Sequence, residues 1–177
     1  EAVLATAEAL AAPMVLTLKA KEGLEQYNPF QVGQSGLIGN PASQVAFDGG
    51  DVLLMIGTDF PYREWYPEGK TVIQIDSRGE HIGRRTHVDL GLVGHSRTTL
   101  DALLPLLHRR TETTHLDHAR GRYDSWREGQ AHLTDPDFDH ERLGRIRQAF
   151  DNRAHAIRPE ALAAAVDRHA APDAIFT

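Results

Sequence analysis

The chain contains no cysteine and only two methionines and two tryptophans in 177 residues. The first absence excludes disulfides, thiolate nucleophiles and cysteine-ligated metal centres, and it fits a reducing, cytoplasmic compartment. No stretch approaches the roughly 18 consecutive apolar residues of a membrane helix, and no basic-then-apolar leader opens the sequence. It opens at Glu1, inside a helical pattern and without methionine, so the start reads as a cut end. Acidic residues outnumber basic ones, 25 to 19. A formal net charge of −6 argues against nucleic acid as a partner, because phosphate-backbone binding draws on clustered Lys and Arg. The turn Gly-x-Gly-x-x-Gly is missing too, which disfavours an ordinary NAD-binding domain.

What is present is a soluble-type composition, 41% hydrophobic and 25% charged, enough for one ordinary core. Residues 1–12 are rich in Ala and Leu and predict a helix stopped by Pro13. Residues 13–18, 52–57, 71–75 and 88–93 are short apolar runs, the pattern of strands buried on both faces of a parallel sheet. Residues 19–33 read as a loop at the carboxyl end of the first run. Asn40 followed by Pro41 predicts a helix start with Asn40 as N-cap. A second helix is predicted with Ser96 as its cap and Leu100, Leu103, Leu104 and Leu107 on one face. Strands alternating with helices predict an α/β protein with a three-layer, Rossmann-like parallel sheet.

After Arg110 the character changes. Residues 116–133 predict a charged helix, residues 141–150 an exposed helix or linker, and residues 158–169 an alanine-rich helix. Residues 173–177 resemble the opening of a strand. The expected organisation is an α/β domain over 1–110, a helical extension and linker over 111–156, and the start of another domain over 157–177.

Three features suggest chemistry. Asp76 ends an apolar strand, where a carboxylate accepts ribose hydroxyls in dinucleotide-binding sheets or simply caps a turn. Asp89 opens the next strand, as a companion contact or a structural cap. The Asn40 helix start, behind two glycines, offers free N–H groups to an anion such as a pyrophosphate. Lys19 reads either as a cofactor contact or as a snorkelling surface lysine. Arg63 could reach an anionic group or form a salt bridge. Trp65, Tyr66, Trp126 and Phe150 read as core or interface aromatics. His115 and His118, three apart, could share a helix face, but a pair without a third ligand is a poor metal site.

The strings NPFQVGQSGLIGNPAS, IGTDFPYREWYP, VIQIDSRGEHIG, VDLGLVGHSRTTLDALLPLL and IRPEALAAAVDRHAAPDAIFT resemble, in order and spacing, one family. They are similar to the central domain, and the start of the following domain, of thiamine-diphosphate-dependent enzymes of the pyruvate oxidase, quinone-linked pyruvate dehydrogenase and acetolactate synthase type. The resemblance implies a six-stranded sheet whose first strand is missing here, and in the oxidases an extended FAD. It implies that Thr17, Leu18, Lys19 and Ala20 line the flavin side. Asn40, Pro41, Ala42, Ser43 and Gln44 would meet the phosphates or ribityl chain, Thr58 would follow, and Asp76 and Asp89 would lie near the adenosine end. Relatives usually carry Gly at the position of Ala20, Pro at Gly79 and an acid at His95. The resemblance further implies a homo-oligomeric parent that holds thiamine diphosphate and Mg²⁺ on other domains and acts on a small 2-oxo acid. Such a parent is cytoplasmic, or peripheral to the membrane where a quinone is the acceptor. This stretch alone would then catalyse nothing. The alternative is an assembly domain without flavin, or with ADP, in a non-oxidative decarboxylase or carboligase.

Overall fold

The computed structural model describes residues 1–151 and 157–175, which divide into two compact units meeting at Asp124 and Ser125. The first unit contains, in order, α1 (Ala2–Leu10), β1 (Met14–Leu16), α2 (Lys21–Leu24), β2 (Gln31–Gln34), α3 (Pro41–Gly49), β3 (Val52–Ile56), β4 (Thr71–Asp76), β5 (Leu90–Val93), α4 (Ser96–Leu103) and the first half of α5 (Thr114–Leu133). Helix and strand alternate from α1 to β3, after which β3, β4 and β5 follow one another through loops and 3-10 turns, where the sequence pattern predicts continued alternation. The fold is α/β with parallel strands, as the sequence pattern predicts.

The strands form two sheets. β1 pairs with β2, and β3, β4 and β5 pair in that order, all in parallel. α1 ends where Ala11 turns left-handed at φ 46°, its N–H on the Glu8 carbonyl and the Ala12 N–H on Ala7, before Pro13 blocks continuation. β2 lies in the stretch read as a loop. Its four residues, Gln-Val-Gly-Gln, carry one apolar side chain, so hydropathy gives no strand signal. Val32 is nonetheless fully buried, and the Gln31 side chain turns back to accept from the Gly33 N–H.

In the three-stranded sheet Leu53↔Val72 and Met55↔Gln74 share one face, together with Asp76 and Gly91. The chain folds back over that face through a 3-10 turn at Gly79–His81. Gln74, buried, donates from Nε2 to the His81 carbonyl and accepts at Oε1 from the Gly83 N–H. A Cβ on Gly91 would stand 2.5 Å from Ile82, so glycine is what lets the turn lie flat on β5. On β4 the side chain of Ile75 alternates to the opposite face and is fully buried, as is Leu100 of α4, which packs on this strand. α4 begins at Ser96 with His95 in the cap position and no side-chain cap bond, one residue from the expected cap. It gives way to a 3-10 turn at Leu104–Leu106, where Pro105 removes a donor.

The expected boundary at residue 110 falls short of the compact unit, which runs to Asp124. The reason is α5. Its Ala119 and Tyr123 are buried, and the Arg120 guanidinium caps the Gln31 carbonyl of β2, giving that carbonyl a partner other than a strand. A Cβ on Gly33, at φ 81°, would fall 3.0 Å from the Tyr123 ring. The N-terminal end of α5 also lies against α3, where His115 occupies the space a Cβ on Gly49 would need.

The second unit contains the rest of α5, a 3-10 turn at Pro136–His140, α6 (Arg142–Asp151) and α7 (Pro159–His169). Arg158 organises it. Its Nε donates to the Leu133 carbonyl at 2.9 Å, its guanidinium pairs with Asp139, and it stacks 5.2 Å from the Phe138 ring centroid. The alanine-rich helix stands where predicted. Of the strand expected at 173–177, Asp173 lies in a turn, Ala174 and Ile175 are not in a strand, and Phe176 and Thr177 lie outside the described residues.

Candidate functional site

Parallel strands carry their carboxyl ends to the same side, and there their backbone ends meet loops instead of neighbours, the usual place for a ligand. At the end of β1 the extended Thr17 leads into a 3-10 turn at Leu18–Ala20, with Leu18 64% exposed and Lys19 exposed beside it. At the end of β2, Gly36 turns at φ 92° and the Gly39 N–H closes on its carbonyl. Asn40 then caps α3: Oδ1 accepts from the Ala42 N–H at 2.9 Å, and Nδ2 donates to the Val32 carbonyl at 3.1 Å. Gly33 is required beneath it, since a Cβ would sit 1.9 Å from that Nδ2.

The ends of β2 and β3 touch. A Cβ on Gly36 would lie 2.9 Å from the Phe60 ring, which is flanked edge-on by Tyr62 and Tyr66. Thr58, at the start of this loop, accepts from the Phe60 N–H. The β3 and β5 ends are also adjacent, with Ser96 Oγ 3.5 Å from the Cβ position of Gly57. The Gly94 N–H bonds the Asp76 carbonyl, completing a continuous edge from β3 through β4 to β5.

The expected residues distribute unevenly on this edge. Thr17, Leu18, Lys19 and Ala20 stand at the β1 end. Asn40, Pro41, Ala42 and Ser43 form the first turn of α3, but Asn40 is committed to the cap and Ser43 Oγ donates to the Asn40 carbonyl. Gln44 faces elsewhere: its amide donates to Asp48 at 2.7 Å, and it lines a cleft of about 250 Å³ with Phe47, Trp65, Glu68 and Lys70. Asp76 is at the β4 end, 5% exposed, with Oδ1 accepting from the Arg78 N–H and Oδ2 3.4 Å from His81 Nδ1. Asp89 is not near it. It precedes β5, at the amino end of the sheet, where Oδ2 accepts from the Val72 N–H at 2.8 Å. The structure therefore separates the two aspartates by the length of β4, and Asp89 caps a strand start.

The loop after β3 carries a charge cluster that the sequence reading does not identify. Arg85 grips both oxygens of Asp59, through Nε at 2.8 Å and an η-nitrogen at 3.2 Å, and Arg84 stands 3.6 Å away. These cations hold the Asp59 carboxyl below the usual range, the Arg85 hydrogen bond contributing most. Arg63, expected as an anion contact or a salt-bridge partner, donates to the Arg84 carbonyl instead. Tyr66 donates its hydroxyl to the Phe60 carbonyl, and burial pushes its phenol up to about 12. Gln34, at the β2 end, buries an amide nitrogen that has no hydrogen-bond partner among the described residues. No spacing motif marks His81, Arg84 or Arg85; Gln74 could have been suspected as a polar residue on the same strand face as Asp76. Among the described residues no three His, Asp or Glu side chains converge as a metal-ligating group, and no helix is long and apolar enough to cross a membrane.

Comparison with known proteins places this architecture. Over residues 1–103 the chain matches the family model described as the central domain of thiamine pyrophosphate enzymes. It is 47% identical over 123 residues to a 42.6 kDa protein of Pseudomonas amyloderamosa encoded 3′ of isoamylase, covering 70% of this chain and 31% of that protein. It is 35% identical over 120 residues to YdaP of Bacillus subtilis, called a thiamine pyrophosphate-containing protein, covering 68% of this chain and 21% of that one. To the pyruvate oxidase of Lactiplantibacillus plantarum it is 24% identical over 126 residues, covering 70% of this chain and 21% of the oxidase. The chain thus spans a fifth to a third of the length of these relatives. A sheet of parallel strands, with glycine turns and a capped helix at their carboxyl ends, together with these matches, shows that the chain belongs to the central-domain family of thiamine pyrophosphate enzymes.

Proposed function

We propose that the carboxyl edge of these strands binds a dinucleotide, FAD, within a thiamine-diphosphate-dependent enzyme acting on pyruvate or a similar 2-oxo acid. The observation that carries this reading is the convergence of the Gly36 turn, the Phe60 loop and the Asp76 turn at one edge, with the buried Gln34 amide donor unmatched beside them. A buried donor without an acceptor costs about 1–3 kcal/mol, so an acceptor supplied by a ligand is favoured there. The positive-φ glycines Gly36 and Gly57 allow close approach of a ligand to the backbone.

In this reading Thr17, Leu18, Lys19 and Ala20 line the flavin side, and the phosphates or ribityl chain lie against residues 40–44, with the Ala42 and Ser43 N–H groups already held by Asn40 and the positive end of the α3 dipole facing them. Thr58 and Phe60 close over the middle. Asp76 holds the β4 turn rigid. When bound, the flavin supplies two-electron redox chemistry, and thiamine diphosphate supplies decarboxylation elsewhere in such an enzyme. The names of two relatives, pyruvate oxidase and acetolactate synthase, support this substrate class. The test is direct: titration with FAD, followed by flavin fluorescence and the visible spectrum of the dialysed protein. Retained flavin at one per chain supports the reading; a colourless protein that binds ADP but no flavin moves it to an assembly domain.

A further inference from the structure

The loop that follows β3 has few bonds of its own to fix its course. Thr58 Oγ1 accepts from the Phe60 N–H, and the Tyr66 hydroxyl donates to the Phe60 carbonyl. Among the described residues, every hydrogen bond and ion pair that leaves residues 58–66 ends on Arg84 or Arg85. Both belong to the connection between β4 and β5, so two loops whose paired residues are 26 positions apart hold each other.

Arg85 is the stronger half of this tie. Its fork meets both Asp59 oxygens, at 2.8 and 3.2 Å, whereas Arg84 reaches one of them at 3.6 Å. The Arg85 side chain is also less exposed, 25% against 51%. A bidentate fork fixes direction as well as distance, which a single ion pair does not. The Tyr66 phenol feels the charges of both Arg85 and Asp59, which places the tie beside the hydroxyl that anchors Phe60.

What the tie holds comes next in the chain. Asp59 precedes Phe60, whose ring stands so close to Gly36 that a Cβ there would be 2.9 Å from Cζ. Gly36 turns the chain at the end of β2, which belongs to one sheet, while the Phe60 loop leaves β3 of the other. This contact is where the ligand ends of the two sheets touch. A loop free to swing would present that surface part of the time, and the apparent affinity of a ligand that needs it falls by the same fraction.

We infer that Arg85 is a positioning residue: through Asp59 it holds Phe60 on the Gly36 turn and so pre-forms the surface that a nucleotide meets. The link to a nucleotide rests on the FAD reading; the hold on Phe60 does not. Two readouts separate them. In the ligand-free, isotope-labelled chain the Gly36 α-proton resonances report the Phe60 ring. Arg85→Gln is expected to move them toward their positions in Phe60→Ala, and Arg85→Lys, which keeps the charge without the fork, to move them the same way by less. FAD is expected to bind Arg85→Gln about three to ten times more weakly than wild type. It should bind Phe60→Ala and the double variant alike, because Arg85 acts through Phe60. Unmoved Gly36 resonances in Arg85→Gln overturn the inference, and so does an unchanged FAD affinity. An equal loss on removing Arg85 with and without Phe60 also overturns it, since Arg85 would then meet the ligand itself. If the wild type binds no FAD, the flavin reading fails, and the Gly36 resonances alone uphold or overturn the hold on Phe60.

Discussion

Asp76 Oδ2 lies 3.4 Å from His81 Nδ1, with both side chains more than nine-tenths buried, so a strand end and the turn that follows it share one enclosed pair. Removing one partner leaves the other buried and unmatched, and Asp76 also satisfies the Arg78 N–H. Asp76→Ala is expected to destabilise the chain by about 2–4 kcal/mol, read by chemical denaturation. A loss under about 0.5 kcal/mol, the range of ordinary surface substitutions, would show that the turn is held by Gln74 alone.

Two glycines should respond oppositely to alanine. Gly33→Ala places a Cβ 1.9 Å from Asn40 Nδ2 at φ 81°, and the cap on α3 must shift. A loss of more than about 2 kcal/mol is expected, from strain and a damaged cap. Gly23→Ala, within α2 and with nothing within 4 Å, should gain about 0.5–1 kcal/mol. Thermal melts of the two variants check both signs.

The Tyr66 phenol carries an alkaline prediction. Burial raises it from 10.0 to about 12, so the folded chain retains a proton that the unfolded chain releases. The raised value contributes stability that is fully present below pH 10 and is lost as the pH rises from 10 towards 12. Tyr66→Phe should flatten that part of the stability curve. An unchanged alkaline slope in the variant would contradict the assignment.

Asp89 separates structure from binding. Its carboxylate accepts from the Val72 N–H at the amino end of the sheet, so Asp89→Ala should cost about 1–2 kcal/mol and leave nucleotide affinity unaltered. Reduced affinity in a fully folded Asp89→Ala protein would return this residue to the ligand site.

Helix α5 belongs in part to the α/β unit through Arg120 and Tyr123. Arg120→Ala uncaps the Gln31 carbonyl and should cost about 1–3 kcal/mol, with increased amide exchange in β2. Exchange unchanged at residues 31–34 would mean that α5 docks through Tyr123 alone.

The parts of this fold legible in the sequence were those with strong local chemistry. Asn40 with Pro41 specified a helix start, and the apolar runs ending at Ile56 and Asp76 specified parallel strands, because buried strands leave a hydropathy signal. β2 left none: three of its four residues are glutamine or glycine, and its burial comes from α3 and α5 lying against it. Of the candidate site, only the strand ends were legible. Asp76 ends β4 as the apolar run predicts, but the direction of its side chain depends on His81 and on the 3-10 turn, long-range facts with no local pattern. Asp89 opens its strand, and in a parallel sheet that puts it at the amino end, opposite Asp76; its reading as a structural cap agrees with its bond to the Val72 N–H. The compact unit runs beyond residue 110 to Asp124 because α5, charged along most of its surface, buries Ala119 and Tyr123 there.

The central claim is that the carboxyl edge of the strands is the nucleotide site. Amide chemical-shift mapping of the isotope-labelled chain during FAD titration tests it most directly. The account predicts saturable shifts at residues 17–20, 36–43, 57–60 and 76–78, with the amides near Asp89 and in α7 unmoved. Shifts confined to the amino ends of the strands, or to the cleft lined by Gln44 and Lys70, would contradict it.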